Sequence, residues 1–173
     1  HENDNLFLGI NASIYETLKD DYNDKYEYVL PDITLDKNLF ANENYGSLDY
    51  QSNFNIHNYD TNKSEKFLVN NFDWQLKNKG ILSNLSGDLL GKIKNVNYEA
   101  KNVDKYKKDS TSEVFGAIGY LAKLNLIKNG KNNSNHYLTP KILFRYAPDH
   151  MRKENDGARL NGLNIFSLDR LDS

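Results

Sequence analysis

Apolar and polar residues alternate with period two in runs that recur about eight times along the chain, separated by clusters of turn-forming residues. The first run places Leu8, Ile10, Ala12 and Ile14 opposite Asn11 and Ser13. The third is the cleanest: Leu48, Tyr50, Phe54 and Ile56 alternate with Ser47, Asp49, Gln51, Asn53, Asn55 and His57. One apolar and one polar face is the signature of an antiparallel strand wetted on one side only. The fifth sets Ile81, Leu85, Leu89 and Ile93, interspersed with Gly87 and Gly91, against Asn84, Ser86, Asp88, Lys92 and Lys94. In the sixth, Val114, Ile118, Tyr120, Leu124 and Leu126 oppose Glu113, Lys123 and Asn125, and Phe115 and Leu121 interrupt the polar side. The seventh, Tyr137 to Tyr146, carries Leu138, Pro140, Ile142, Phe144 and Tyr146 against Thr139, Lys141 and Arg145.

Asn-, Asp-, Lys- and Gly-rich connections at 19–25, 36–45, 59–64, 77–80, 101–112, 128–135 and 149–161 separate the runs. Parallel pairs would need helical crossovers, and no sustained 3.6-residue period supplies them. The expected fold is therefore all-β, an antiparallel meander of about eight strands. Pro140 lacks the N–H that a central strand donates, so a local bulge is expected there.

Asn is the commonest residue, yet 12 Tyr and 8 Phe argue against disorder. A net charge of −2, with basic residues dispersed among acids, gives no footprint for nucleic acid. Cysteine is absent, so no thiolate metal site exists. The histidines at 1, 57, 136 and 150 lack ligand-type neighbours at zinc spacing, and no nucleophile elbow, P-loop or dinucleotide fingerprint occurs. Neither an enzyme nor a cofactor is expected. No window approaches the roughly 18 apolar residues of a spanning helix, so a membrane role must use strands. The chain opens at His1 without a basic n-region or cleavage site, which suggests a truncated start.

The stretch Tyr137 to Arg152 reads Y-L-T-P-K-I-L-F-R-Y-A-P-D-H-M-R, and Asn164 to Leu171 reads N-I-F-S-L-D-R-L. An L-T-P-K strand, a Y-A-P turn and an F-S-L-D-R strand in this order resemble the barrel domain of the LptD family of lipopolysaccharide-assembly proteins, also called organic solvent tolerance proteins (OstA). Ser13 to Leu18, Tyr26 to Leu35, Asn58 to Asn62, Leu68 to Trp74 and Ile93 to Asn97 look, in order, like further segments of its alphaproteobacterial form. The second, fourth and eighth runs (26–36, 65–76 and 163–171) are placed partly by this resemblance. It implies that residues 1–173 are an interior part of a larger transmembrane β-barrel, truncated at both ends. It also implies an outer-membrane location and transport of lipopolysaccharide to the outer leaflet. The implied partners are an LptE-like lipoprotein plug, a periplasmic domain of the same chain, the transenvelope bridge and outer-membrane lipid.

On this reading the apolar faces meet lipid, and Asp49, Gln51, Asn53, Asn55, His57, Lys141 and Arg145 are the candidates for the lumen face. The connections 101–112 and 149–161 are assigned to the outer side. Two alternatives use the same alternation. One is a general diffusion porin. The other is a soluble β-sandwich that binds carbohydrate, with Tyr50, Trp74 and Tyr146 as stacking platforms.

Overall fold

The computed structural model describes residues 2–3, 5–19, 23–79, 85–107, 109–130, 134–148 and 165–169. Among these the regular structure is entirely strand: β1 (Glu2–Asn3), β2 (Leu6–Glu16), β3 (Tyr26–Asn42), β4 (Gly46–Tyr59), β5 (Ser64–Lys79), β6 (Leu85–Lys101), β7 (Thr111–Leu124), β8 (Leu126–Asn129), β9 (Asn135–Leu138) and β10 (Lys141–Tyr146). One sheet has the order β1-β2-β3-β4-β5-β6-β7-β10, and β8 and β9 form a second, two-stranded sheet. It is an antiparallel meander, as the alternation predicts, and its order does not close into a barrel among the described residues.

Four expectations need correction. Residues 36–45 are not a connection: β3 continues to Asn42 and only Glu43 to Tyr45 turn. There the Asn42 side chain accepts from the backbone N–H groups of Asn44 (3.0 Å) and Tyr45 (2.6 Å), and Gly46 adopts φ 80°. A Cβ at Gly46 would lie 2.1 Å from the Gln75 carbonyl oxygen, so the turn needs glycine for space as well as for conformation. Likewise β5 runs to Lys79, past the start of the connection expected at 77–80.

The seventh run is not one strand. It breaks at Thr139 and Pro140 into β9, which pairs with β8, and β10, which pairs with β7. Pro140 offers no N–H to a ladder, although its carbonyl still accepts from Leu124 N–H at 3.1 Å. The facing strand is interrupted at Asn125, whose side chain accepts from Thr139 Oγ1 at 3.2 Å. Leu126 consequently belongs to the small sheet. The eighth run is not a strand where it is described, since 165–169 form turn and irregular backbone. Its remainder, the start of the fifth run at Ile81, and 149–161 lie outside the described residues.

The chain forms two compact units. The first comprises His1–Leu39, Asp49–Phe72 and Lys94–Val114. In it Leu8 faces Leu35, Ile10 faces Ile33 and Ile14 faces Tyr28 on one side of the β2–β3 ladder, while Asn11 faces Asp32 and Tyr15 faces Glu27 on the other. The register shifts between Asn11 and Ser13, opposite Pro31 in β3, whose preceding peptide bond is cis.

The second unit comprises Phe40–Leu48, Asp73–Ile93 and Phe115–Ser173. Its small core is Phe115, 1% exposed, with Ala117 and Leu168, against which Leu90 and Ala147 pack. Phe115 therefore breaks the polar side of its run because it has found apolar partners there. On the opposite side Tyr120 covers Gly87 and Trp74 covers Gly91, each large ring filling the gap left by a residue with no side chain.

Candidate functional site

Alternation decides which side chains share a side of each strand, and hydrogen bonds between strands fix which ones meet. In the first unit Asp49, Gln51, Asn53, Asn55 and His57 alternate along one side of β4. Each meets a polar neighbour. Asn38 Nδ2 donates to Asp49 Oδ1 at 2.7 Å, Asn71 Nδ2 to Gln51 Oε1 at 3.4 Å, and Asn53 Nδ2 to Thr34 Oγ1 at 3.0 Å. Asn55 Nδ2 donates to Asn53 Oδ1 at 3.0 Å, and His57 Nδ1 lies 2.6 Å from Glu27 Oε1, which also accepts from Tyr59 OH at 3.4 Å. The carbonyl oxygens of the Asn55 and Asn71 side chains are buried without a protein donor. On the same side Phe67, Tyr98 and Tyr106 form a ring trio with centroids 5.3 to 6.0 Å apart, which holds Tyr106 against β5 and β6.

In the second unit the polar side is held mainly by ion pairs. Asp88, 5% exposed, accepts from Lys123 Nζ at 2.6 Å and from Gln75 Nε2 at 3.2 Å. Lys92 Nζ lies between the two oxygens of Asp73, at 2.9 and 3.0 Å, with Asp169 at 3.9 Å. The remaining candidates, Lys141 and Arg145, project from this side of β10. Lys141 sits opposite Lys123 in the ladder. Arg145 Nε donates to the Leu168 carbonyl at 2.8 Å, and its guanidinium carbon lies 5.6 Å from the Phe115 ring centroid. Sequence reasoning had placed Asp88, Lys92 and Lys94 on a polar face. It did not select Glu27, Thr34, Asn38, Asn71 or Asp73, although the alternation of Asp73 with Phe72 and Trp74 was there to be read.

The opposite sides carry most of the exposed large apolar residues. In the first unit Ile10 and Ile14 are each 69% exposed and Val114 64%, while Lys94 on the polar side is buried. In the second, Ile118, Ile142, Phe144 and Tyr146 are exposed, whereas Asp88 is buried. Each unit by itself thus exposes large apolar side chains while burying one charged group, Lys94 in the first beside buried Val29 and Ala100, and Asp88 in the second beside Phe115, Ala117 and Leu168, although charged groups are the rarest buried residues. Of the three rings proposed as stacking platforms, Tyr50 belongs to the apolar side of the first unit, and Trp74 and Tyr146 to that of the second. Tyr50 packs on Phe72 at 4.8 Å between centroids, Trp74 Nε1 donates to the Tyr45 carbonyl at 2.8 Å, and Tyr146 stands exposed opposite Ile118.

Chemically the polar side offers amide, carboxylate, ammonium and guanidinium groups, suited to hydrogen bonding and ion pairing. Among the described residues no three His, Asp or Glu side chains come together as a metal site. Compared with protein-family models, with curated proteins and with solved structures, the chain matches none.

Proposed function

We propose that this chain is a stretch of an outer-membrane β-barrel wall whose apolar side meets lipid and whose charged side lines a lumen, and that it serves lipopolysaccharide translocation in the manner of LptD. The observation that carries the membrane part is the exposed apolar side of each unit: Ile10 and Ile14 are exposed in the first, where Lys94 is buried, and Ile118, Ile142 and Phe144 are exposed in the second, where Asp88 is buried. A sandwich would have to cover the apolar side with a second sheet, and those residues are bare. Strands of 11 to 17 residues over β2 to β7 exceed the roughly 9 to 11 that a tilted strand needs to cross a bilayer. The translocation part rests on the ordered sequence words, L-T-P-K, Y-A-P and F-S-L-D-R foremost. On this reading Asp49, Gln51, Asn53, Asn55, His57, Lys141 and Arg145 face water, the LptE-like plug or the passing saccharide.

Depleting the protein in its host and measuring lipopolysaccharide that reaches the cell surface tests the assignment. Loss of surface lipopolysaccharide is expected. Unchanged lipopolysaccharide with slowed uptake of small solutes would make the protein a porin. A protein that is soluble and monomeric without detergent would make it a sugar-binding module.

A further inference from the structure

The apolar side of the first unit does not stay apolar to its end. On β7 exposed Val114 is followed toward the 102–110 loop by Ser112, and on β6 the same side carries Asn95, Asn97, then exposed Glu99 and Lys101. On β5 it runs from Phe72 through Asn70 and Leu68 to Lys66, which lies 3.5 Å from Glu99. On β4 it stays largely apolar as far as Ile56 and ends at Asn58. Hydrocarbon thus gives way to hydroxyl on β7 and to an amide at the end of β4, amide gives way to charge on β6, and β5 ends in charge after Leu68.

The amides are linked across the strands. Tyr50 OH and Ser52 Oγ both donate to Asn70 Oδ1 at 2.9 Å, and Asn70 Nδ2 donates to Asn95 Oδ1 at 3.4 Å. Asn95 Nδ2 in turn donates to Ser112 Oγ at 3.3 Å and to the Glu113 carbonyl at 3.2 Å. Ser52 and Asn70 sit among apolar neighbours and bond to each other and to Tyr50, as polar groups in hydrocarbon must. Asn95, Asn97 and Ser112 have charged or loop residues beyond them. The edge of the apolar band is therefore oblique to the strands, farther along β4 than along β6 and β7, as on strands inclined to a membrane.

We infer that Asn95, Asn97 and Ser112 mark the level at which the lipid headgroup layer replaces hydrocarbon, and that Lys66, Glu99 and Lys101 stand in water beyond it. This rests on the membrane reading above and adds where the membrane ends. An amide and hydroxyl layer fits headgroups because each partner offers hydrogen bonds at a depth where bulk water is scarce. The charged residues past it would be costly any deeper.

The test uses the full-length protein in lipid nanodiscs, with an environment-sensitive fluorophore on Val114→Cys, Ser112→Cys or Glu99→Cys. The Val114 label is expected to be quenched by lipids brominated on the acyl chain and shielded from aqueous iodide. The Glu99 label should show the reverse, and the Ser112 label should respond to both. Equal acyl-chain quenching at Glu99 and Val114 would overturn the inferred border while leaving the membrane reading intact. Iodide quenching alone at all three sites would overturn both. Independently of any substitution, acylation of Lys66 and Lys101 by a water-soluble ester, read by mass spectrometry, should modify both, and protection of both would count against the border.

Discussion

Replacing Ile118 by Arg distinguishes a bilayer from water by the size of its effect. Ile118 lies midway along the apolar side of β7, between Val114 and Leu124, and is 63% exposed beside exposed Tyr146. If that side faces water, the change removes an exposed apolar group and should alter stability by no more than about 0.5 kcal/mol. If it faces the middle of a bilayer, Arg should cost about 2 to 4 kcal/mol. That is roughly a 30- to 700-fold fall in the folding equilibrium constant. Gln51→Arg is the control, because Gln51 is exposed on the polar side and its one amide contact, from Asn71, is 3.4 Å long. Reversible unfolding of the full-length protein in vesicles gives the two free energies, and heat-modifiable mobility with outer-membrane yield gives the cellular counterpart. Equal stabilities, or a larger loss for Gln51→Arg, would refute the assignment of faces.

Other expectations follow from single contacts. Asp88→Leu should leave the Lys123 ammonium without its carboxylate and destabilise by about 2 kcal/mol, less than a fully buried pair because Lys123 keeps some solvent. The double change with Lys123→Leu should recover part of that loss in a thermodynamic cycle, and strict additivity would show that the pair is not coupled. Phe115→Ala should cost about 3 kcal/mol by emptying the site against Ala117 and Leu168, measured by the same unfolding assay. Asp24, held below the ordinary carboxylate range by hydrogen bonds from Lys63 and then Thr61, should stabilise its turn at neutral pH. That contribution is present above the unfolded-state value and is lost as pH falls through the lower folded one. Asp24→Asn should therefore flatten the acid limb of the stability curve, and an unchanged limb would exclude this contact as its source.

Legibility in the sequence depended on how differently the two sides of a strand were populated. β4 could be read as one strand because its two alternating sets differ sharply. The far end of β3 was missed because Lys37, Asn38, Leu39 and Phe40 mix polar and apolar on both sides, so hairpin pairing rather than burial keeps it extended. Thr139 and Pro140 broke a run whose period was sound, since side-chain period carries no record of a missing backbone donor. Cross-strand partners such as Glu27 with His57, 30 positions apart, depend on register, which local pattern does not encode.

Every described strand of the large sheet finds its partner in the next strand along the chain, apart from β10, which reaches past the short β8–β9 hairpin to β7. Closing each pair therefore requires only a short loop of chain, and loop-closure entropy grows slowly with such lengths. A sheet wired in this way can be laid down one hairpin at a time from either end, each new strand templated by the exposed backbone of the one before. In such an order the strand most recently added is always the exposed one, so the growing edge needs protection for only one strand's length of time before its neighbour arrives.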